Sequence, residues 1–199
     1  MAKHYVLGLM AANRCGILAA VSTALAELSG NIRDIRLTVV ENFFTMILSA
    51  DFPDQRDPGV IVGHLEGVGR PFGLSVLLRD PIAEHVPAVP PHDCQVFQLT
   101  LTGNDPPGVL ARFSARLARE QIDITDMYGW RSAEESPVIL LELAIPTHVN
   151  VAELRTELTE IGRGFGLETR LDFVRTGATR DPRPLRTRLP TGSQALGER

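Results

Sequence analysis

Two short stretches carry the residue types that can hold a small charged molecule. Asn13-Arg14-Cys15-Gly16 and Asp105-Pro106-Pro107-Gly108 share the pattern Asn/Asp-x-x-Gly, and each runs into an apolar segment with helical spacing. A helix N-terminus presents N–H groups with no internal partner and a partial positive charge, so it attracts carboxylates. A glycine there lets a ligand come close to the backbone. The Asn or Asp oxygen can accept a hydrogen bond from an ammonium. One loop therefore offers partners to both ends of a zwitterion. The same residues also serve as helix caps or turn stabilisers, and spacing alone leaves both readings open. Arg14 adds a fork-shaped donor suited to a carboxylate, and it reads equally as a solvated loop arginine. Cys15 is either a thiol made acidic by the helix end or an inert small side chain.

Other chemistry finds little support. The five histidines are His4, His64, His85, His92 and His148, and none has metal-ligand spacing beyond a weak His92-x-Cys94. There is no glycine-rich phosphate loop, nucleophile elbow or zinc-helix motif. The expectation is no catalytic residue, no metal and no cofactor. Cys15 and Cys94 form no disulfide framework, and the short apolar stretch Val6 to Met10 is no signal-peptide core, so a cytoplasmic location is expected. No apolar run reaches membrane-spanning length, so no membrane partner is expected. Residues 175–199 carry six arginines against Asp181 and Glu198, leaving the first 174 residues at −8 against the chain's −4. A body that acidic is a poor match for nucleic acid, and no direct nucleic-acid binding is expected. The tail reads as a disordered Arg/Pro-rich segment, or as a basic arm for an acidic partner.

The elements that position the two loops emerge from an internal repeat. Gly69-Arg70-Pro71-Phe72-Gly73-Leu74 and Gly162-Arg163-Gly164-Phe165-Gly166-Leu167 agree at five of six positions, 93 residues apart. Asn31-Ile32-Arg33-Asp34 aligns with Asp123-Ile124-Thr125-Asp126 at an offset of 92, as do the two loops. One residue is therefore inserted in the second half, and the polar stretch 132–137 is the expected turn for it. In each half, alternating Tyr5, Leu7, Leu9 or Phe97, Leu99, Leu101 predict a strand. Ile17, Leu18, Val21, Leu25, Leu28 and Val109, Leu110, Phe113, Leu117 predict an amphipathic helix. Two strands follow, with Ile35, Leu37, Val39 and Phe44, Met46, Leu48 in the first half. Pro53 and Pro146 end the third strands. A second helix then leads to Gly69 or Gly162, where a C-terminal stop is expected, and a last strand closes each half.

The order is β-α-β-β-α-β, twice. It predicts an α+β chain of two ferredoxin-like domains, each an antiparallel sheet with both helices on one face. The expected boundaries are 1–81 for the first domain, 82–94 for a stiff linker holding Pro87, Pro90 and Pro91, 95–174 for the second domain, and 175–199 for the tail. RNA-recognition modules share the topology but need exposed aromatics and a basic sheet; Phe43 and Phe44 do not supply them. Tyr128 and Trp130 read as lobe or dimer contacts, or as edge aromatics.

The repeat with Asp-x-Pro-Gly-Val-Leu opening its first helix resembles the ACT domain. Asp105-Pro106-Pro107-Gly108-Val109-Leu110 carries that motif, and Asn13-Arg14-Cys15-Gly16-Ile17-Leu18 is its counterpart, with Asn13 and Cys15 where Asp and Pro are usual. Two such domains and little else resemble the glycine cleavage system transcriptional repressor group, over about residues 4–174. The resemblance implies an amino-acid-sensing regulatory protein that binds a small amino acid or related effector at the lobe interface. It further implies a protein partner, either a regulator or an enzyme, a homo-oligomer, and a role in transcriptional control. It places the effector at Asn13, Arg14, Gly16 and Ile17 with Asn31 and Ile32, and at Asp105, Gly108 and Val109 with Asp123 and Ile124. The alternatives are a non-sensing ACT scaffold for assembly, or an acylphosphatase-like enzyme using Arg14, the last by fold analogy only.

Overall fold

Alternation of apolar residues along Ala2–Ala12 makes β1, which buries Tyr5, Leu7, Leu9 and Ala11 on one face. The computed structural model describes residues 2–85, 93–103, 106–130 and 137–174, without the Trp130 side chain. Asp105, His92, the linker prolines, residues 131–136 and the tail 175–199 lie outside the described residues. The chain divides into two units, Met1–Val89 and Pro90–Arg199.

In the first lobe β1 is followed by α1 (Ile17–Glu27), β2 (Asn31–Val40), β3 (Phe43–Pro53), α2 (Pro58–Gly69), a 3-10 turn (Arg70–Phe72) and β4 (Ser75–Arg79). The sheet is antiparallel with order β2-β3-β1-β4. Ile17, Val21, Ala24 and Leu25 of α1 and Ile61 and Leu65 of α2 bury against one face of the sheet. That is the split βαβ arrangement. The second lobe repeats it with β5 (Cys94–Thr102), α3 (Val109–Arg119), β6 (Asp123–Trp130), β7 (Val138–Pro146), α4 (Val151–Gly164) and β8 (Glu168–Phe173), in the order β6-β7-β5-β8. Cys94, read from sequence as linker, already belongs to β5. Each lobe has its own core, the second built around Leu99, Phe113, Leu117, Leu141, Leu154 and Leu158.

The register accounts for the insertion. Asp34 pairs with Ser49, whereas its equivalent Asp126 pairs with Glu142, so the offset changes from 92 to 93 between β6 and β7. In the first lobe the hairpin closes through Glu41 and Asn42, with φ of 48° and 65°. Two consecutive positive φ values are those of a type I′ turn, whose twist matches the flanking strands. β2 and β6 also carry matching register shifts, between Ile32 and Asp34 and between Ile124 and Asp126. A β-bulge there turns the chain at the start of each strand.

The strongest stretch of the repeat has a structural cause. Leu167 N–H donates to the Gly162 carbonyl at 2.8 Å, and Gly166 N–H to that of Arg163 at 3.1 Å. Leu74 N–H and Gly73 N–H bond to Gly69 and Arg70 in the same way, both at 3.1 Å. This is the Schellman pattern, with the left-handed position taken by Gly73 (φ 65°) and Gly166 (φ 70°). The expectation that Gly162 stops its helix is corrected: α4 runs on to Gly164. Gly69 and Gly162 are glycines because their backbones are crowded. A Cβ at Gly69 would sit 2.3 Å from Leu74 Cβ, and one at Gly162 would sit 1.9 Å from Thr169 Oγ1.

Candidate functional site

Each Asn/Asp-x-x-Gly turn ends on a glycine in the left-handed region, Gly16 at φ 96° and Gly108 at φ 95°. L side chains avoid that conformation, which gives glycine a backbone reason to be there. Both glycines are themselves the N-cap residues, so neither α1 nor α3 has a side-chain cap. The cap reading of Asn13 therefore fails at α1; its backbone N–H instead donates to the Asn42 carbonyl at 2.8 Å and ties the turn to the β2–β3 hairpin. The Ile17 N–H turns back to the Arg14 carbonyl at 3.3 Å. The next two, Leu18 and Ala19, meet no acceptor among the described residues, and Leu110 and Ala111 repeat this in the second lobe. The second helices are built differently. Asp57 accepts from Gly59 and Val60 N–H at 2.7 and 3.4 Å, and Asn150 from Ala152 and Glu153 N–H at 3.2 and 3.3 Å. Among the described residues, both lobes thus close the second helix and leave the first with a pair of open donors and the positive end of its dipole.

Arg14 is exposed, and its Nη1 donates to the Pro71 carbonyl at 3.1 Å. That bond ties the β1–α1 turn to the 3-10 turn after α2. Phe72 from the same segment lies under Gly16, its Cζ 3.8 Å from where a Cβ would stand. At Gly108 no described residue comes within 4 Å of the corresponding position. Ile17 and Val109 point inward and are buried. Asp105 lies outside the described residues. Cys15 is exposed and unpaired.

Asn31 and Ile32, with Asp123 and Ile124, occupy the other end of each sheet. Asn31 pairs with Asp51, which pairs with His4 at the start of β1, whereas the glycine turn follows Ala12. Eight residue steps separate them, about 27 Å at roughly 3.4 Å per residue. Within one lobe the two sets are not brought together. At the β2 end lies a cluster that sequence reasoning missed. Arg33, at the bulge, donates from Nε to Asp51 Oδ2 at 2.6 Å, and His4 Nδ1 lies 3.1 Å from Asp51 Oδ1. Partial burial of Asp51 opposes its charge, but the hydrogen bonds from Arg33 and His4 outweigh it and hold the carboxyl below its ordinary value. The repeat has Val96, Thr125 and Ala144 at these places, so no repeated signal marked them. In the second lobe Thr125 Oγ1 donates instead to Glu142 Oε1 at 2.8 Å.

Similarity to known proteins bears on this geometry. A UPF0237 protein of Methanocaldococcus jannaschii is 33% identical over 78 residues, 39% of this chain and 87% of that relative. The chain belongs to the UPF0237 family. The match is about as long as one lobe, and this family member carries two. No protein-family model matches the chain. Among solved structures, an unknown protein from Galdieria sulphuraria superposes with a TM-score of 0.71 at 22% identity, covering 87% of this chain and 99% of that one. A candidate glycine cleavage system transcriptional repressor superposes at 0.61 with 16% identity, covering 87% and 98%. At these identities the likeness is one of fold, and it spans both lobes: this UPF0237 member has the tandem ACT fold. No helix among its described residues is long and apolar enough to cross a membrane.

Proposed function

We propose that this UPF0237 protein is an amino-acid-sensing regulator. A small amino acid or related effector seats its carboxylate on the open N–H groups after Gly16 or Gly108. Polar groups of the turn, Asn13 or Asp105, take the ammonium, and the Asn31–Ile32 or Asp123–Ile124 edge of another ACT lobe completes the pocket. The occupied state changes how the protein meets a partner protein, in line with a role in controlling amino-acid metabolism. The observation that carries this reading is the contrast between helix ends. In both lobes the second helix is closed by a side-chain cap, while the first begins on a left-handed glycine with two N–H groups that meet no acceptor among the described residues. Regulation requires the effector to prefer one arrangement of the protein, since equal affinity for both shifts nothing.

A thermal-shift screen of the full chain across the twenty amino acids tests it. A ligand at 100 times its Kd adds about 2.7 kcal/mol of stability. One or a few amino acids should raise the melting temperature by several degrees. A flat screen would favour a second reading, an ACT assembly module without an effector. The apolar open face of the first sheet, with Met10, Phe43, Ile47 and Leu77 each about half exposed, is the observation on that side.

A further inference from the structure

We infer that the cleft between α3 and α4 is a second binding site, for a small oxyanion with an apolar body. In the first lobe, α1 carries Ala20, half-buried, and Ala24, fully buried. The repeat puts Arg112 and Arg116 at those positions, and Arg119 where α1 has Glu27. Spacings of four and three bring the three arginines onto one helical face. A cleft of about 480 Å³ lies between α3 and α4, lined by those arginines and by Glu157, Glu160, Ile161 and Phe165. That volume is ordinary for a small-molecule site.

The arginines divide the work. Arg116 is held in place, its Nε donating to Glu157 and its Nη2 to Glu120 Oε1 at 3.3 Å. It is 13% exposed, and its Nη1 is enclosed beneath the cleft with no acceptor among the described residues. Arg112 and Arg119 have no ion pair among the described residues, so their guanidinium forks are free to grip an oxyanion from two sides. Glu157 and Glu120 are engaged by Arg116, which leaves Arg112 and Arg119, with no ion pair among the described residues, as the cations available to an anion. Ile161 and Phe165 offer an apolar wall for the rest of the ligand. None of these residues belongs to the glycine turns, so this site stands independently of amino-acid sensing.

The test uses the full chain, with phenyl phosphate, phenylacetate and inorganic phosphate followed by calorimetry and by amide NMR shifts. Phenyl phosphate or phenylacetate should bind saturably, more tightly than inorganic phosphate, with shifts centred on Ile161 and Gly164 rather than Gly16 or Gly108. The double variant Arg112→Ala/Arg119→Ala alters exposed side chains only, and should weaken binding at least tenfold with unchanged circular dichroism. A Lys pair at the same positions, which keeps charge but loses the fork, should fall between. Absence of saturable binding by all three probes, or undiminished affinity in the alanine variant, overturns the inference. Neither result bears on the amino-acid screen.

Discussion

Gly67 and Gly69 lie two residues apart on α2 and answer to different constraints. Nothing stands within 4 Å of a Cβ built on Gly67, whereas one on Gly69 strikes Leu74. Gly67→Ala should therefore stabilise the first lobe by up to about 1 kcal/mol, through helix propensity. Gly69→Ala should cost about 1–3 kcal/mol through overpacking. Chemical denaturation of the two variants checks the pair, and equal effects would contradict the packing account. From the sequence, Gly69 and Gly162 read as helix stops. The repeat was legible, but the reason for each glycine required the positions of Leu74 and Thr169. Asp51 was not legible at all, because its partners Arg33 and His4 come from two other strands. Its lowered pKa means its charge contributes stability above the ordinary carboxylate value, about pH 4, and the contribution fades as pH falls through the lower folded value. Asp51→Asn should thus be less stable than the parent at pH 7, with the gap narrowing below about pH 4. Urea unfolding at pH 7 and pH 3 reads this; a gap that widens in acid would contradict it.

At the scale of elements, alternation identified β2 correctly, but the buried face that a period of two implies is absent. Ile35, Leu37 and Val39 repeat every second residue, yet each is more than 40% exposed and none joins the core. β2 is an edge strand, and burial of an edge depends on what lies beyond it, which periodicity does not encode. The open faces of the two sheets also differ. Across the first runs Ile47-Gly8-Leu77, and the equivalent row in the second is Leu140-Thr100-Arg170. The first face presents apolar surface and the second a charged one. If the apolar face mediates self-association, Leu77→Arg, which copies the second lobe, should abolish it. Analytical ultracentrifugation of parent and variant would show an oligomer only in the parent; the same mass for both, at any concentration, would contradict this. The first loops were legible as helix-opening turns, because Asn/Asp-x-x-Gly precedes an apolar run twice. Which residue caps the helix was not, since it depended on the φ of Gly16 and Gly108.

For the whole molecule, duplication is what lets structural and functional features be told apart. Features kept in both lobes for packing have a packing explanation on view: the Schellman loops crowd against Leu74 and Thr169, and the bulges turn β2 and β6. The first helices, uncapped among the described residues, are kept in both lobes without one. The lobes diverge elsewhere, at the arginine cleft of the second and the His4-Arg33-Asp51 cluster of the first. The central claim is that the open N–H groups receive an effector carboxylate. Amide NMR of the full chain, titrated with each amino acid, tests this most directly. The account predicts that at least one amino acid shifts Leu18 and Ala19, or Leu110 and Ala111, saturably, while the capped amides of Gly59 and Ala152 stay still. Titrations that leave all four first-helix amides unmoved, or that move the capped helices equally, would contradict it.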